Sequence, residues 1–188
     1  MSDITMGRIV KINMGKGRFL DCDIRVPLIT YMDDNFQLHE MVDPTNNELI
    51  YYPKLVYIMQ DARDTSGCEI RVKNGLSWQR FEDYNRLVGG SDTSIHMVGG
   101  ATDSKWYYKY KDTESFVQVH PIHCAYIMQE IANRYRINCE IGVYLPGYDG
   151  SKTLGYLHFA ITEGNNYFYY YDNKGKHEIK TLKEISLP

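Results

Sequence analysis

Behind Pro121 the chain carries its longest helical stripe. Cys124, Ile127, Met128, Ile131 and Tyr135 recur at the spacing of one helix face, and Arg134 and Arg136 stand in the last turn, where they complement the helix dipole. A stripe of this kind has to be buried against something, and the next fifty residues offer a sheet. Residues 139–144 and 154–162 read as strands joined by the turn-rich PGYDGSKT. A hairpin turn is expected over 163–166, leading into the aromatic run 167–171, and a further turn over 172–175. Along 154–162 the two-residue period puts Tyr156, His158 and Ala160 on one face and Leu157, Phe159 and Ile161 on the other.

The N-terminal half is patterned differently. Weak alternation over 7–13 and 19–26, broken by Gly15, Gly17, Pro27 and Pro44, reads as short strands and loops. From Pro53 the period becomes helical through Leu55, Ile58, Met59 and Ala62, and Gly67 ends the run. A short strand is expected at 69–72, a short helix around Phe81, Tyr84 and Leu87, and a structured loop over 89–103. The expected class is α+β: an antiparallel sheet with packed helices. The 188 residues suit a single domain, with 1–66 as an N-terminal extension of strands and one helix and 67–175 as the core.

Composition narrows the chemistry. A net charge of −3 provides no basic footprint for phosphate contacts, so a nucleic-acid partner is not expected. No run approaches the length of a membrane span, and MSDITMGRIVKINMG lacks the apolar core of a signal peptide, so cytoplasmic synthesis without a leader is expected. Cys22, Cys68, Cys124 and Cys139 show no C-x-x-C spacing and read as buried, reduced thiols. Seventeen tyrosines against six phenylalanines point to a sheet-rich fold with half-wet faces. For the run Tyr167 to Tyr171 a partly covered sheet is favoured over a sugar platform.

Of the six histidines, His96 and His158 stand out. His96 sits in the glycine-rich loop seven residues before Asp103, with Gly99 and Gly100 between them to let the backbone turn. Together with the strand residue His158 they make a set of two nitrogens and one oxygen that can hold zinc with a fourth position open. The alternatives are a metal-free His–Asp hydrogen bond in the loop and a half-buried strand histidine. His120 and His123 flank Pro121 and suit capping or surface roles; His39 and His177 lie in polar, solvated contexts.

Ser94-x-His96-x-x-Gly99-x-Ala101-x-Asp103 resembles S-x-H-x-x-G-x-A-x-D, the signature of the zinc D-alanyl-D-alanine carboxypeptidases and L-alanyl-D-glutamate endopeptidases. Tyr84-Asn85-Arg86-Leu87-Val88-Gly89-Gly90 is similar to the Y-N-x-x-V-G-G preceding it, and Ile141-Gly142-Val143-Tyr144 with Tyr156-Leu157-His158 is similar to the strands bringing the last ligand. The resemblance spans about 69–171. It implies the hedgehog/DD-peptidase-like fold, zinc held by His96, Asp103 and His158, and Ser94 and Gly99 supporting the loop. Three departures stand beside it. Gly155 occupies the place of the family's general-base carboxylate, Ala160 that of a further Asp, and the arginine of S-G-x-R is met only loosely by Asn74-Gly75-Leu76-Ser77, with Arg80 as substitute. Glu140, Asp149 and Glu163 remain as candidate bases.

The resemblance therefore implies zinc-dependent hydrolysis of an amide in the peptidoglycan stem peptide, by a phage lysin or a virion-associated wall-opening protein. The alternative is a catalytically impaired peptidase-like domain that serves as a structural or binding part beside other phage proteins, for instance in a tail. A small wall- or glycan-binding module, resting on tyrosine abundance alone, comes third.

Overall fold

The computed structural model describes residues 5–13, 18–27, 31–33, 35–37, 49–72, 80, 82–111, 113–150 and 154–185. His39, Phe81, residues 74–77 and the side chain of Cys22 lie outside that description. In chain order the strands and helices are β1 (Thr5–Asn13), β2 (Phe19–Pro27), β3 (Tyr31–Asp33), β4 (Phe36–Gln37), β5 (Leu49–Tyr51), α1 (Pro53–Ser66), β6 (Glu69–Val72), α2 (Glu82–Leu87), β7 (Ala101–Lys109), β8 (Phe116–Gln118), α3 (Pro121–Arg134), β9 (Asn138–Tyr144), β10 (Tyr156–Thr162), β11 (Tyr167–Asp172) and β12 (Gly175–Ile179). The class is α+β. Two compact units emerge, Met1–Gln60 with Val72–Thr102 and Asp61–Arg71 with Asp103–Pro188.

In the first unit β2, β1 and β5 form a three-stranded sheet, with β5 parallel to β1, and β3 pairs with β4. Helix α1 begins at Pro53, whose missing N–H costs nothing in a first turn, and buries Leu55, Val56, Ile58 and Met59 completely or nearly so. Phe36 is equally buried, and the Asn35 amide donates to Oε1 of Gln60 at 3.1 Å. The helix runs to Ser66, and Gly67 stops it with a left-handed φ of +64°, at the residue where the sequence places its end.

The second unit is built on a seven-stranded sheet in the order β12-β11-β9-β10-β7-β6, with β8 paired to β7. Helix α3 packs on β9 and β10, so the stripe read from the sequence meets the apolar face of the sheet. Cys124, Met128 and Ile131 on the helix and Ile141, Val143, Leu157 and Phe159 on the strands are essentially solvent-free. His120 caps the helix, its side chain accepting from the Ile122 amide, in line with the capping role expected of it. Cys68, Cys124 and Cys139 are buried free thiols.

The structure corrects two expectations. The turn at 163–166 does not close a hairpin: β11 pairs not with β10 but with β9, in parallel, so the connection passes across the start of β9. Asn166 makes that passage favourable, because its Oδ1 accepts from the Cys139 amide at 2.9 Å. The stretch 89–103 is not all loop either. It contains a 3₁₀ turn, Ile95–Val98, and the first residues of β7. That strand hides in the sequence because its covered positions include the small polar residues Thr102 and Ser104 alongside Trp106, whose indole N–H donates to Ser104 Oγ at 3.1 Å.

Candidate metal centre

The loop before β7 is shaped by glycines. Gly99 takes a left-handed φ of +68° and closes the 3₁₀ turn, its amide donating to the His96 carbonyl at 3.1 Å. A Cβ at this position would stand 2.5 Å from the Ile50 carbonyl oxygen, so the backbone passes where only glycine fits. Upstream, Asn85 is buried, its side-chain amide donates to the Ser91 carbonyl at 2.8 Å, and its backbone carbonyl accepts from the Gly90 amide at 2.8 Å. Any side chain at residue 90 would collide with that of Asn85, which is the physical content of the N-x-x-x-G-G spacing. Ser94 starts the 3₁₀ turn through its carbonyl, which accepts from the Met97 amide; its side chain makes no capping bond.

This turn delivers His96, only 2% exposed, and the strand that follows carries Asp103. Asp103 is therefore a strand residue, not the loop residue expected from the glycine-rich context. His158, 7% exposed, lies on β10, where it pairs with Gly142 of β9. His158 Nδ1 is 2.9 Å from Asp103 Oδ1, and its Nε2 is 3.5 Å from Glu140 Oε1. His96, Asp103 and His158 each offer one ligand atom, and the three atoms lie within 4.8 Å of one another.

Burial works against a charged ring at His158, but hydrogen bonds to Asp103 and Glu140, with the charges of both, outweigh it and push the imidazole up to about 9. Burial likewise disfavours the Glu140 carboxylate, yet His158, Lys176 and the Tyr169 hydroxyl together hold it below the ordinary range. Beside the carboxylates runs a row of tyrosines on the same sheet face. Tyr144 stacks on Tyr156 at 4.1 Å and on Tyr171 at 4.7 Å, and Tyr148 meets the row edge-on. Burial raises the Tyr144 phenol to about 12. The aromatic run thus packs largely on itself, as the covered-sheet reading expects.

Residues 33–125 match the Peptidase M15 family model. The match supports a relationship to the M15 zinc peptidases, and so a metallopeptidase in general. It takes in Ser94, His96, Gly99 and Asp103 but ends before His158, and it begins well ahead of residue 69, where the motifs place the start of the resemblance. Comparison with curated proteins and with solved structures returned no match. The donor set fits the ion of the M15 family: two imidazoles and a carboxylate are the ligand types of open catalytic zinc sites, and both rings are buried.

The remaining residues singled out beside the M15 motif are placed as follows. The Arg80 amide donates to the His96 carbonyl at 3.2 Å, and its side chain lines an open cavity of about 340 Å³ with Glu82, Asp92 and Met97. Of the candidate bases, Glu140 stands beside His158, while Asp149 and Glu163 are exposed in the turns flanking β10. His177 is not simply solvated: it stacks on Tyr170 at 4.6 Å and its Nε2 lies 2.9 Å from Asp172 Oδ1. The proximity of Glu140 to His158 rests on strand register, which the spacing of a single sequence does not fix.

Proposed function

We propose that this protein is a zinc-dependent peptidase that hydrolyses an amide bond of the peptidoglycan stem peptide, acting at the bacterial cell wall as a phage lysin or a virion-associated wall-opening protein. The observation that carries the reading is the convergence of His96, Asp103 and His158 in a chain that matches Peptidase M15. When bound, zinc supplies Lewis acidity toward an amide carbonyl and a nucleophile at neutral pH. His96, Asp103 and His158 hold it, and the Gly99 turn fixes the angle at which His96 enters. Arg80, one backbone hydrogen bond from His96, is the cation we assign to the substrate or the developing oxyanion.

A second reading, an impaired peptidase-like domain used as a structural part of a phage particle, is favoured by Gly155. That residue supplies no carboxylate where the resemblance expects the general base. Incubation with purified peptidoglycan and with synthetic stem peptides separates the two readings. The enzyme releases new amino or carboxyl termini in a zinc-dependent way, and Asp103→Ala abolishes the release. A zinc-loaded protein that cuts no stem peptide leaves the structural reading standing.

A further inference from the structure

Glu140 occupies a position that the peptidase reading leaves unused. It pairs across β9–β10 with Ala160, two residues along from the Gly142–His158 pair, so its side chain rises on the same sheet face as the imidazole. Ala160 presents only a methyl group there, and Gly142 presents nothing. The space above Gly142 is filled by the Tyr169 ring, since a Cβ on residue 142 would lie 2.5 Å from the Tyr169 hydroxyl oxygen. Tyr169 in turn is hydrogen-bonded to Glu140, and Lys176 Nζ sits 4.4 Å from the centre of the Tyr169 ring. Four side-chain choices on four neighbouring strands therefore surround one carboxylate, which lies 3.5 Å from Nε2 of His158.

The two nitrogens of an imidazole point in strongly divergent directions. Nδ1 of His158 faces Asp103, and Nε2 faces Glu140. A carboxylate on Nε2 fixes the ring orientation, selects the tautomer with its proton on Nε2, and leaves the Nδ1 lone pair free to donate. We infer that Glu140 is a positioning residue that holds His158 through Nε2, so that Nδ1 is presented beside Asp103 as a metal ligand, with Tyr169 orienting Glu140 from the other side. This assignment rests on the zinc-site reading above. It also removes Glu140 from the candidate general bases, because the side of the ring it occupies is turned away from Nδ1.

The test is zinc affinity, measured by competition against a chromophoric chelator on the full chain. Wild type, Glu140→Gln, Glu140→Ala and Tyr169→Phe are compared, with exposed Glu130→Ala as control. Loss of the supporting carboxylate is expected to weaken zinc binding about 10- to 100-fold in Glu140→Ala. Glu140→Gln, which keeps the shape and one acceptor oxygen, falls between it and wild type, and Glu130→Ala is unchanged. The visible spectrum of the cobalt-substituted protein reports ligand orientation directly, and it should shift in Glu140→Ala. Melting of each chelated variant identifies any that fails to fold; if Glu140→Ala does, the isosteric Glu140→Gln decides. Wild-type affinity together with an unaltered cobalt spectrum in the folded Glu140 variants overturns the inference while leaving the zinc site in place. A wild type that takes up no zinc overturns the zinc-site reading, and the inference with it.

Discussion

Gly155 and Tyr144 approach so closely that a Cβ on residue 155 would overlap the Tyr144 carbonyl oxygen, and Gly155 holds a φ of +75°. The residue that enters β10 is thus glycine for backbone reasons. A carboxylate cannot simply be added there. Gly155→Ala and Gly155→Glu are both expected to destabilise the protein, by about 1–3 kcal/mol from the left-handed backbone alone and more from the overlap. The Gly155→Glu substitution would therefore bring no gain in peptide hydrolysis. Equilibrium urea unfolding checks the first statement and stem-peptide turnover the second; a Gly155→Glu protein as stable as wild type would mean that the chain enters β10 by another path.

Chelated protein should lose stability on the alkaline side. His158 has a folded-state pKa of about 9, above its ordinary value of 6.5, so its interactions with Asp103 and Glu140 stabilise fully below pH 6.5 and fade as pH rises through 9. Glu140, held below its ordinary range, acts in the opposite sense: its contribution is present at neutral pH and is lost on acidification. Thermal melts in the presence of a chelator should show Tm falling between pH 6.5 and 9, by about 2–4 °C for each kcal/mol lost. His158→Gln should flatten that slope. A slope equally steep in the variant would place its origin elsewhere.

Zinc should raise the melting temperature without being needed for folding, because the apolar core between α3 and the sheet is built from side chains that take no part in the candidate metal set. At free zinc about one hundredfold above Kd the gain is about 2.7 kcal/mol. Calorimetry with and without chelator should show a cooperative transition in both cases, and metal analysis one zinc per chain. His158→Ala should lose both the zinc and the shift. Complete unfolding on chelation would show that the core is too weak to stand without the ion.

How much of this is legible in the sequence depends on the kind of signal. α1, α3 and β10 announce themselves because apolar residues recur at a fixed period, and the Ser94–Asp103 motif does so because its glycines are forced by backbone approach, as the Ile50 contact at Gly99 shows. The start of β7 escapes such a reading because Thr102 and Ser104, both buried, look like loop residues in a string. The β11 pairing is hidden for a different reason. A four-residue connection normally signals a hairpin, and nothing in the string 163–166 distinguishes it from the crossing seen here, where the Cys139 amide of β9 donates to Asn166 Oδ1. The place of Glu140 depends on cross-strand register, so it becomes visible only once β9 and β10 are laid side by side.

The stacked tyrosines give the molecule an optical property of its own. Tyr156, Tyr144 and Tyr171 hold their rings nearly parallel, with interplanar angles of 12° and 10° between neighbours. Transition dipoles fixed in that way couple, and an asymmetric row of coupled phenols produces near-ultraviolet circular dichroism that free tyrosine lacks. Tyr169 links the row to His158, with 6.3 Å between the Tyr144 and Tyr169 rings and 6.2 Å between the Tyr169 and His158 rings. A change at the imidazole is therefore expected to register in the tyrosine circular dichroism, and titrating zinc into chelated protein while recording that signal checks it.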